Sequence, residues 1–252
     1  GTDERLSVAV RVALLTFVIR KTLEKVRADG TVPRSIDSPT VNVTADATAP
    51  GQATSITLTN GGGTGSAYVN SANSSSISVA VALPAGSLTT DVVTLTATLG
   101  GVVTTTHAGS AGAGTVNFTG INVAGLGDGA LTLSVISTDL AGNVSSVRSV
   151  TVTKDTVAPG APTAAYTDNN NTIADVVSGT AEANASVSVT KTAPAPTVGY
   201  PTTANGAGSY TATVAAEHGK ASTPISVTYT ITATDSAGNT SSVTTLSLND
   251  TH

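Results

Sequence analysis

From residue 39 onward, the sequence is a series of short stretches in which apolar and polar residues alternate. Alternation sends successive side chains to opposite faces of a strand, and the Thr and Val that dominate these stretches are β-branched and favour strands. Clusters of Gly, Asn, Asp and Pro separate the stretches and are typical of turns. No helical pattern stands between them to form parallel crossovers, so the sequence predicts an all-β fold of antiparallel sheets. The predicted strands are 40–44, 55–59, 76–83, 92–99, 115–119, 130–138, 146–153, 164–167, 175–181, 186–191, 208–214, 226–234 and 242–248.

An internal repeat sets the size of each domain. Residues 41–51 match residues 150–160, and residues 138–146 match residues 234–242. A period near 100 residues is that of one immunoglobulin-type sandwich. We therefore predict two tandem Ig-like antiparallel β-sandwiches, at 39–154 and 155–252. The stretch 40–44 has the pattern of a last strand, so we expect the sequence to be part of a longer array.

The segment 1–38 differs from the rest because it holds most of the chain's Lys and Arg. Leu6, Val10, Leu14 and Phe17 fall near helical spacing, which favours a helix in the second half of the segment. Leu6 to Ala13 also alternate as a strand would, so that part stays ambiguous. We expect a short, partly helical segment that packs or links, with an assembly element as the alternative. Its apolar run is too short to span a membrane.

Several motifs in this order carry a family likeness. They are the linker at 155–163 (DTVAPGAPT), the stretch at 177–190 (VSGTAEANASVSVT) and the loop at 234–239 (TDSAGN), with related segments at 125–133 and 138–143. Together they resemble bacterial immunoglobulin-like (Big) tandem repeats of large surface adhesins and biofilm-associated proteins, over residues 40–249. The resemblance implies export, display at the cell surface and calcium-stiffened joints between repeats.

Three acidic residues of the second repeat are expected to meet at one end of its sandwich. Asp155 lies on the incoming linker, Glu182 on the turn between the second and third strands, and Asp235 on the loop before the last strand. Carboxylates brought together repel one another unless a cation joins them, and Ca2+ takes several oxygen ligands from carboxylates and carbonyls. Together with the calcium-stiffened joints that the resemblance implies, this predicts that Asp155, Glu182 and Asp235 bind Ca2+ at the joint.

The first repeat offers a weaker version of the same site, formed by Asp46 and Asp139. Its turn between the second and third strands is placed near 70–73, where no acidic residue stands. A metal-free alternative applies to both repeats, because the Asp of an Asp-x-Ala-Gly-Asn loop can accept hydrogen bonds from its own turn. Asp128, which precedes a glycine, is interpreted as part of a tight hairpin turn.

Enzyme and nucleic-acid signals are absent from the sequence. There is no Cys, the three His residues are widely separated, and no Gly-x-Ser-x-Gly motif occurs. The net charge of −5 argues against nucleic acid as a partner. We predict a non-enzymatic extracellular module of a bacterial surface adhesin, involved in cell adhesion or biofilm, whose partners are neighbouring repeats of the parent chain and a host or matrix surface ligand. The alternatives are an S-layer or filament subunit that assembles through segment 1–38, and a carbohydrate- or ice-binding module.

Overall fold

The computed structural model describes residues 45–110, 114–169, 173–216 and 223–250, with the backbone alone for 104–110. The helical prediction for 1–38 and the predicted strand at 40–44 lie outside the described residues. Within them, the prediction of an all-β fold of antiparallel sandwiches is confirmed.

The first sandwich is built from residues 55–154 and has two facing sheets. One sheet has the order β1-β3-β6 and the other has the order β2-β8-β7-β4-β5. Neighbouring strands are antiparallel except for the short pair β2 and β8, which is parallel. A single 3-10 turn, Thr64–Ser66, precedes β2. The strands are β1 (Ser55–Leu58), β2 (Tyr68–Val69), β3 (Ile77–Ala82), β4 (Val92–Leu99), β5 (Val102–Ser110), β6 (Thr115–Ile121), β7 (Gly129–Thr138) and β8 (Arg148–Lys154).

The second sandwich repeats this plan with residues 165–250. Its sheets have the orders β13-β10-β9 and β12-β11-β14-β15, and all described pairs are antiparallel. The strands are β9 (Ala165–Thr167), β10 (Asp175–Thr180), β11 (Ser186–Ala193), β12 (Val198–Thr203), β13 (Ser209–Val214), β14 (Ile225–Thr234) and β15 (Thr244–Asp250).

Each sandwich has its own hydrophobic core, made mainly of aliphatic side chains. Alternate residues of β3 and β7 are buried in the first core, and the same holds for β13 and β14 in the second. Full burial of one such side chain stabilises by about 1.5–3 kcal/mol. Tyr229 is fully buried and stacks on Tyr166 with ring centroids 6.1 Å apart. The two small cores explain why the chain needs so few aromatic residues.

Three strands were not predicted from the sequence, and all three are edge strands. β2 and β5 are the outer strands of the five-stranded sheet, and β12 is an outer strand of the four-stranded sheet. Other outer strands were predicted, so it is the weak pattern of these three that hides them: β2 has only two residues, and no residue of β12 is buried. Val102 and Val103 of β5 are consecutive and exposed. Pro201 lies within β12, which is tolerated because an edge strand leaves one row of amides unpaired.

Each sandwich has two ends, which we name by the direction of the chain. The upstream pole is the end at which the first strand begins, and the downstream pole is the end at which the last strand finishes. β7 begins with Gly129 at the downstream pole, beside Lys154, and finishes with Thr138 at the upstream pole. The turns 139–143 and 235–239 therefore lie at the upstream poles of the first and second sandwiches, respectively.

The sequence placed segment 70–73 at the wrong pole. It connects β2 to β3 at the downstream pole, because β2 pairs with the end of β8. The upstream connection between β3 and β4 is 83–91, and it ends at the buried Asp91. The expectation that no acidic residue stands at that connection was therefore wrong. The error arose because the loop between β1 and β3 contains β2, an edge strand with no sequence signal.

Candidate functional site

The turn 235–239 of the second sandwich is closed by its own side chains. The amide N of Asn239 donates to Oδ1 of Asp235 at 2.8 Å, and Nδ2 of Asn239 donates to Oδ2 of the same carboxylate at 3.0 Å. The backbone N of Asp235 donates to the carbonyl of Asn239 at 3.1 Å. Gly238 has φ +89°, a conformation that glycine adopts without steric cost. The Asp235 carboxylate thus accepts the hydrogen bonds from its own turn that the sequence predicted.

Asn239 also joins this turn to the linker and to the first sandwich. Its Nδ2 donates to the carbonyl of Asp155 on the linker at 3.0 Å. Its Oδ1 accepts from the backbone N of Ser71 at 3.0 Å and from Ser71 Oγ at 2.8 Å. Only 2% of Asn239 is exposed. One buried amide side chain therefore bonds to three parts of the chain that are far apart in sequence.

A loop of the first sandwich, residues 61–74, covers the turn 235–239. We call it the cover loop. Its Thr64 N donates to the carbonyl of Ser236 at 2.9 Å, and its Asn70 Nδ2 donates to the carbonyl of Ala237 at 2.8 Å. Ala237 is fully buried. A Cβ on Gly63 would lie 2.2 Å from the Ser236 carbonyl oxygen, so only glycine allows this approach.

The start of the linker is fixed to the downstream pole of the first sandwich. Lys154, 2% exposed, donates through Nζ to Oδ1 of Asp128 at 3.0 Å and to the carbonyl of Leu126 at 2.9 Å. Asp128 also accepts from the backbone N of Thr156 at 3.1 Å and from its Oγ1. Asp155 N donates to the carbonyl of Val69 at 2.8 Å. These hydrogen bonds therefore fix the direction in which the linker leaves the first sandwich.

The Asp128 carboxylate is held in its ionised form. Burial works against ionisation, but hydrogen bonds from Thr156 and from Lys154, together with the Lys154 charge, outweigh it and lower the pKa of Asp128 below its ordinary value of 3.8. The sequence interpretation of Asp128 as a turn residue missed this role.

The turn 139–143 of the first sandwich repeats the same internal geometry. Asn143 donates to both carboxylate oxygens of Asp139 at 2.8 Å, through N and Nδ2, and its Nδ2 donates to the carbonyl of Asp46 at 3.1 Å. The hydrogen bonds from the Asn143 side chain, opposed by burial and aided by backbone amides, lower the pKa of Asp139. The two repeats thus share one unit, in which Asn joins the turn Asp to the linker.

The structure brings some of the predicted metal ligands together and not others. The Asn239 amide joins the backbone carbonyl of Asp155 to the carboxylate of Asp235, and Asn143 joins Asp46 to Asp139 in the same way. The carboxylates of Asp155 and Asp46 instead accept from backbone amides two residues ahead. Glu182 lies between β10 and β11 at the same pole as Asp235, since Ser186 pairs with Thr234. Among the described residues, no three acidic or His side chains form a group that could hold a metal ion. Each oxygen of Asp235 accepts one hydrogen bond from Asn239 and keeps a further lone pair for another partner, so calcium binding stays a prediction.

Sequence reasoning also missed Asn239, Ser71 and Asn70. Asn239 carried a signal, because both Asp-x-Ala-Gly-Asn copies end in Asn. The cover loop carried another, since the run GGGTGS at 61–66 is a place where another backbone can approach closely. Neither signal says which distant surface is approached.

The matches of this chain to known proteins are solved structures. No protein-family model matches the sequence, and no curated protein matches it. A tetra-tandem repeat from the extending region of a large adhesion protein is 22% identical, covers 73% of this chain and 48% of its own, and has a TM-score of 0.34. A structure concerned with host cell surface retention of a 1.5-MDa bacterial ice-binding adhesin is 24% identical, covers 81% and 65%, and has a TM-score of 0.44. The chicken CNTN1 FN1–FN3 domains are 9% identical, cover 81% and 69%, and have a TM-score of 0.45.

These TM-scores are all below 0.5, so the fold assignment stands on the strand orders given above. The chain spans about half the length of the first of these structures and 65% of the second. The part of the chain that the structure describes contains no helix long and apolar enough to cross a membrane.

Proposed function

We propose that this chain is a non-enzymatic structural module of an extracellular bacterial adhesin, in which two Ig-like sandwiches are held in one orientation by direct hydrogen bonds. The observation that carries the proposal is the buried Asn239 side chain, which bonds to its own turn, to the linker and to the first sandwich. The adhesin context comes from the motif resemblance in the linker and in the Asp-x-Ala-Gly-Asn loops. Cell adhesion, biofilm and a surface ligand belong to the same proposal.

The contacts at the joint are of a kind that restricts rotation between domains. A single flexible linker would let two sandwiches rotate freely, as is usual when the interface between domains is small. Here the backbone carbonyls of turn 235–239 are paired with the cover loop, and Pro159 and Pro162 of the linker are buried. Proline fixes φ and limits the residue before it, so the linker has few other conformations.

Calcium binding is a separate part of the proposal. Asp155, Glu182 and Asp235 at the joint, with Asp46 and Asp139 at the first upstream pole, are its predicted ligands. An ion that bound only the folded joint would stabilise it by about 2.7 kcal/mol at a hundredfold excess over Kd. The hydrogen bonds described above hold the joint without it, so calcium would add stability and would not create the orientation.

The test is whether the two sandwiches tumble as one body. Residual dipolar couplings from the full chain, in chelator, should fit a single alignment tensor for both sandwiches. Asn239→Ala should separate the tensors, because the joint loses its shared amide. Asn143→Ala is the matched control, since it removes the same turn bonds from the first sandwich and leaves the joint intact. Two independent tensors in the unmodified chain would contradict the proposal.

A further inference from the structure

The two Asp-x-Ala-Gly-Asn turns have the same internal bonds and different surroundings. In the second turn Ala237 is fully buried and Asn239 is 2% exposed. Their counterparts in the first turn are Ala141, which is exposed, and Asn143, which is only half-buried. The turn at 139–143 therefore has the geometry of a joint and lacks a cover among the described residues.

The uncovered turn presents a defined set of hydrogen-bond acceptors. In the second turn, the carbonyls of residues 236 and 237 and the Oδ1 of Asn239 accept from the cover loop. The equivalent acceptors are the carbonyls of Leu140 and Ala141 and Oδ1 of Asn143. No described residue donates a hydrogen bond to any of the three.

Three exposed apolar side chains lie in this turn or within four residues of it in sequence. Leu140 is 86% exposed, and Val144 and Val147 are 50% and 56% exposed. A neighbour docked on the turn would remove part of this apolar surface from water.

We propose that turn 139–143 is a docking surface for the downstream pole of a further Ig-like sandwich, one that carries a glycine-rich loop like the cover loop 61–74. The inference rests on the proposed function, because it extends the observed joint to a second position. Thr64 N, Asn70 Nδ2 and Ser71 show which donors fit such a turn, since they already bond to its copy. The linker segments that enter the two sandwiches also match in sequence. Asp46, Pro50 and Gly51 of the first segment correspond to Asp155, Pro159 and Gly160 of the second.

A chain with one repeated sandwich tests this inference directly. In this engineered chain, residues 1–154 are joined to residues 46–252, which gives two consecutive copies of the first sandwich. The cover loop of the first copy then stands ahead of turn 139–143 of the second copy. Ala47 then occupies the position of Thr156, and Ala47→Thr at that linker restores the hydroxyl that bonds to Asp128. The chain has no Cys, so spin labels can be placed uniquely. Labels at Asn117→Cys in both copies of the first sandwich measure the distance across the new joint. Labels at Asn117→Cys in the second copy and at Thr211→Cys measure the distance across the original joint.

The inference predicts that the distance distribution across the new joint is as narrow as that across the original one. Asn143→Ala in the second copy should broaden the new joint only. A broad new joint beside a narrow original joint would overturn the inference and leave the proposed function standing. Broad distributions at both joints would overturn both.

Thiol accessibility gives a second measurement that does not depend on spin labels. Ala141→Cys should react rapidly with a thiol reagent in the original chain and slowly when it is placed in the second copy of the duplicated chain. Equal reaction rates in the two folded chains would overturn the inference. Slow reaction already in the original chain would also overturn it, because another occupant would then cover the turn.

Discussion

The two upstream poles of this molecule are a natural comparison, because the same turn appears once covered and once uncovered. Asn239 and Asn143 make the same bonds to their turn Asp and to the linker carbonyl ahead of it. The two residues differ in the hydrogen bonds of their side-chain oxygen, because Oδ1 of Asn239, at the joint, accepts from Ser71. The turn therefore forms by local chemistry in both places, and the joint forms where a neighbouring sandwich supplies matching donors.

The largest effect should come from removing the shared amide at the joint. Asn239→Ala should lower the free energy of unfolding by about 2–4 kcal/mol, because the side chain's bonds to the turn, the linker and Ser71 are lost in a buried setting. Asn143→Ala should cost less, since its turn faces water. Urea unfolding of both variants measures the difference, and equal losses would mean that the joint adds nothing to the turn.

Close approach at the cover loop gives the next effect. Gly65 (φ +69°, ψ +13°) lies in the left-handed helical region, where alanine should cost about 1 kcal/mol through backbone strain. Gly63 (φ +69°, ψ −159°) lies in a region that essentially only glycine adopts, so the strain there should be larger. A Cβ on Gly63 would also meet the Ser236 carbonyl, whereas one on Gly65 has no neighbour within 4 Å. Gly63→Ala should therefore cost about 2–3 kcal/mol in total.

The readout for this pair is the width of the distance distribution between labels at residues 117 and 211. Gly63→Ala should broaden it, and Gly65→Ala should leave it unchanged. If both variants broadened the joint equally, the strain of a left-handed residue would explain the effect without any contact to Ser236.

The Asp128–Lys154 ion pair is present at the downstream pole of the first sandwich and has no counterpart in the second. Its contribution to the free energy of unfolding should depend on pH. The same positions in the second sandwich are Pro224 and Asp250. Asp128→Asn should cost about 1–2 kcal/mol at neutral pH, because the buried Lys154 ammonium loses its partner and keeps the Leu126 carbonyl. The folded pKa of Asp128 lies below 3.8, so its contribution is present above that pH and is lost as the pH falls through the folded value.

Urea unfolding in buffers from neutral pH to below 3.8 measures this dependence. The difference between the parent chain and Asp128→Asn should be constant at the higher pH values and should shrink in the most acidic buffers. A difference that grew as the pH fell would show that the folded state raises the pKa of Asp128, contrary to the geometry.

Removal of one hydroxyl at the joint should have the smallest effect. Ser71→Ala deletes the bond from Oγ to Asn239, and the bond from the Ser71 amide N remains. The loss should be about 0.5–1 kcal/mol, in the range of one neutral hydrogen bond. A loss as large as that of Asn239→Ala, measured in the same denaturant series, would show that the hydroxyl and not the amide network holds the joint.

The interior strands could be predicted from the sequence because burial imposes alternation on them. The prediction for β4 has the same bounds as the strand itself, and those for β3, β7 and β14 differ by one residue at either end. The strands β2, β5 and β12 could not be found in this way, because β2 has two residues, β5 begins with two consecutive exposed valines and β12 has no buried residue. The loss of β2 then misplaced segment 70–73, which belongs to the cover loop.

The site was predictable in part. The placement of Asp155 and Asp235 at one pole follows from sandwich topology, and in the structure Asn239 joins the backbone carbonyl of Asp155 to the carboxylate of Asp235. The roles of Ser71, Asn70 and Asp128 depend on how two preformed surfaces dock. Such docking depends on small residues and backbone groups, whose sequence signal is weak. Calcium binding by these acidic residues is a separate prediction.

The most direct test of the account is the distance distribution between labels at Asn117→Cys and Thr211→Cys, recorded in chelator and again in millimolar calcium. Direct hydrogen bonds at the joint predict one narrow distribution that is already present in chelator and keeps its width when calcium is added. A broad distribution in chelator that narrows only with calcium would contradict the account and would assign the stiffness of the joint to the metal.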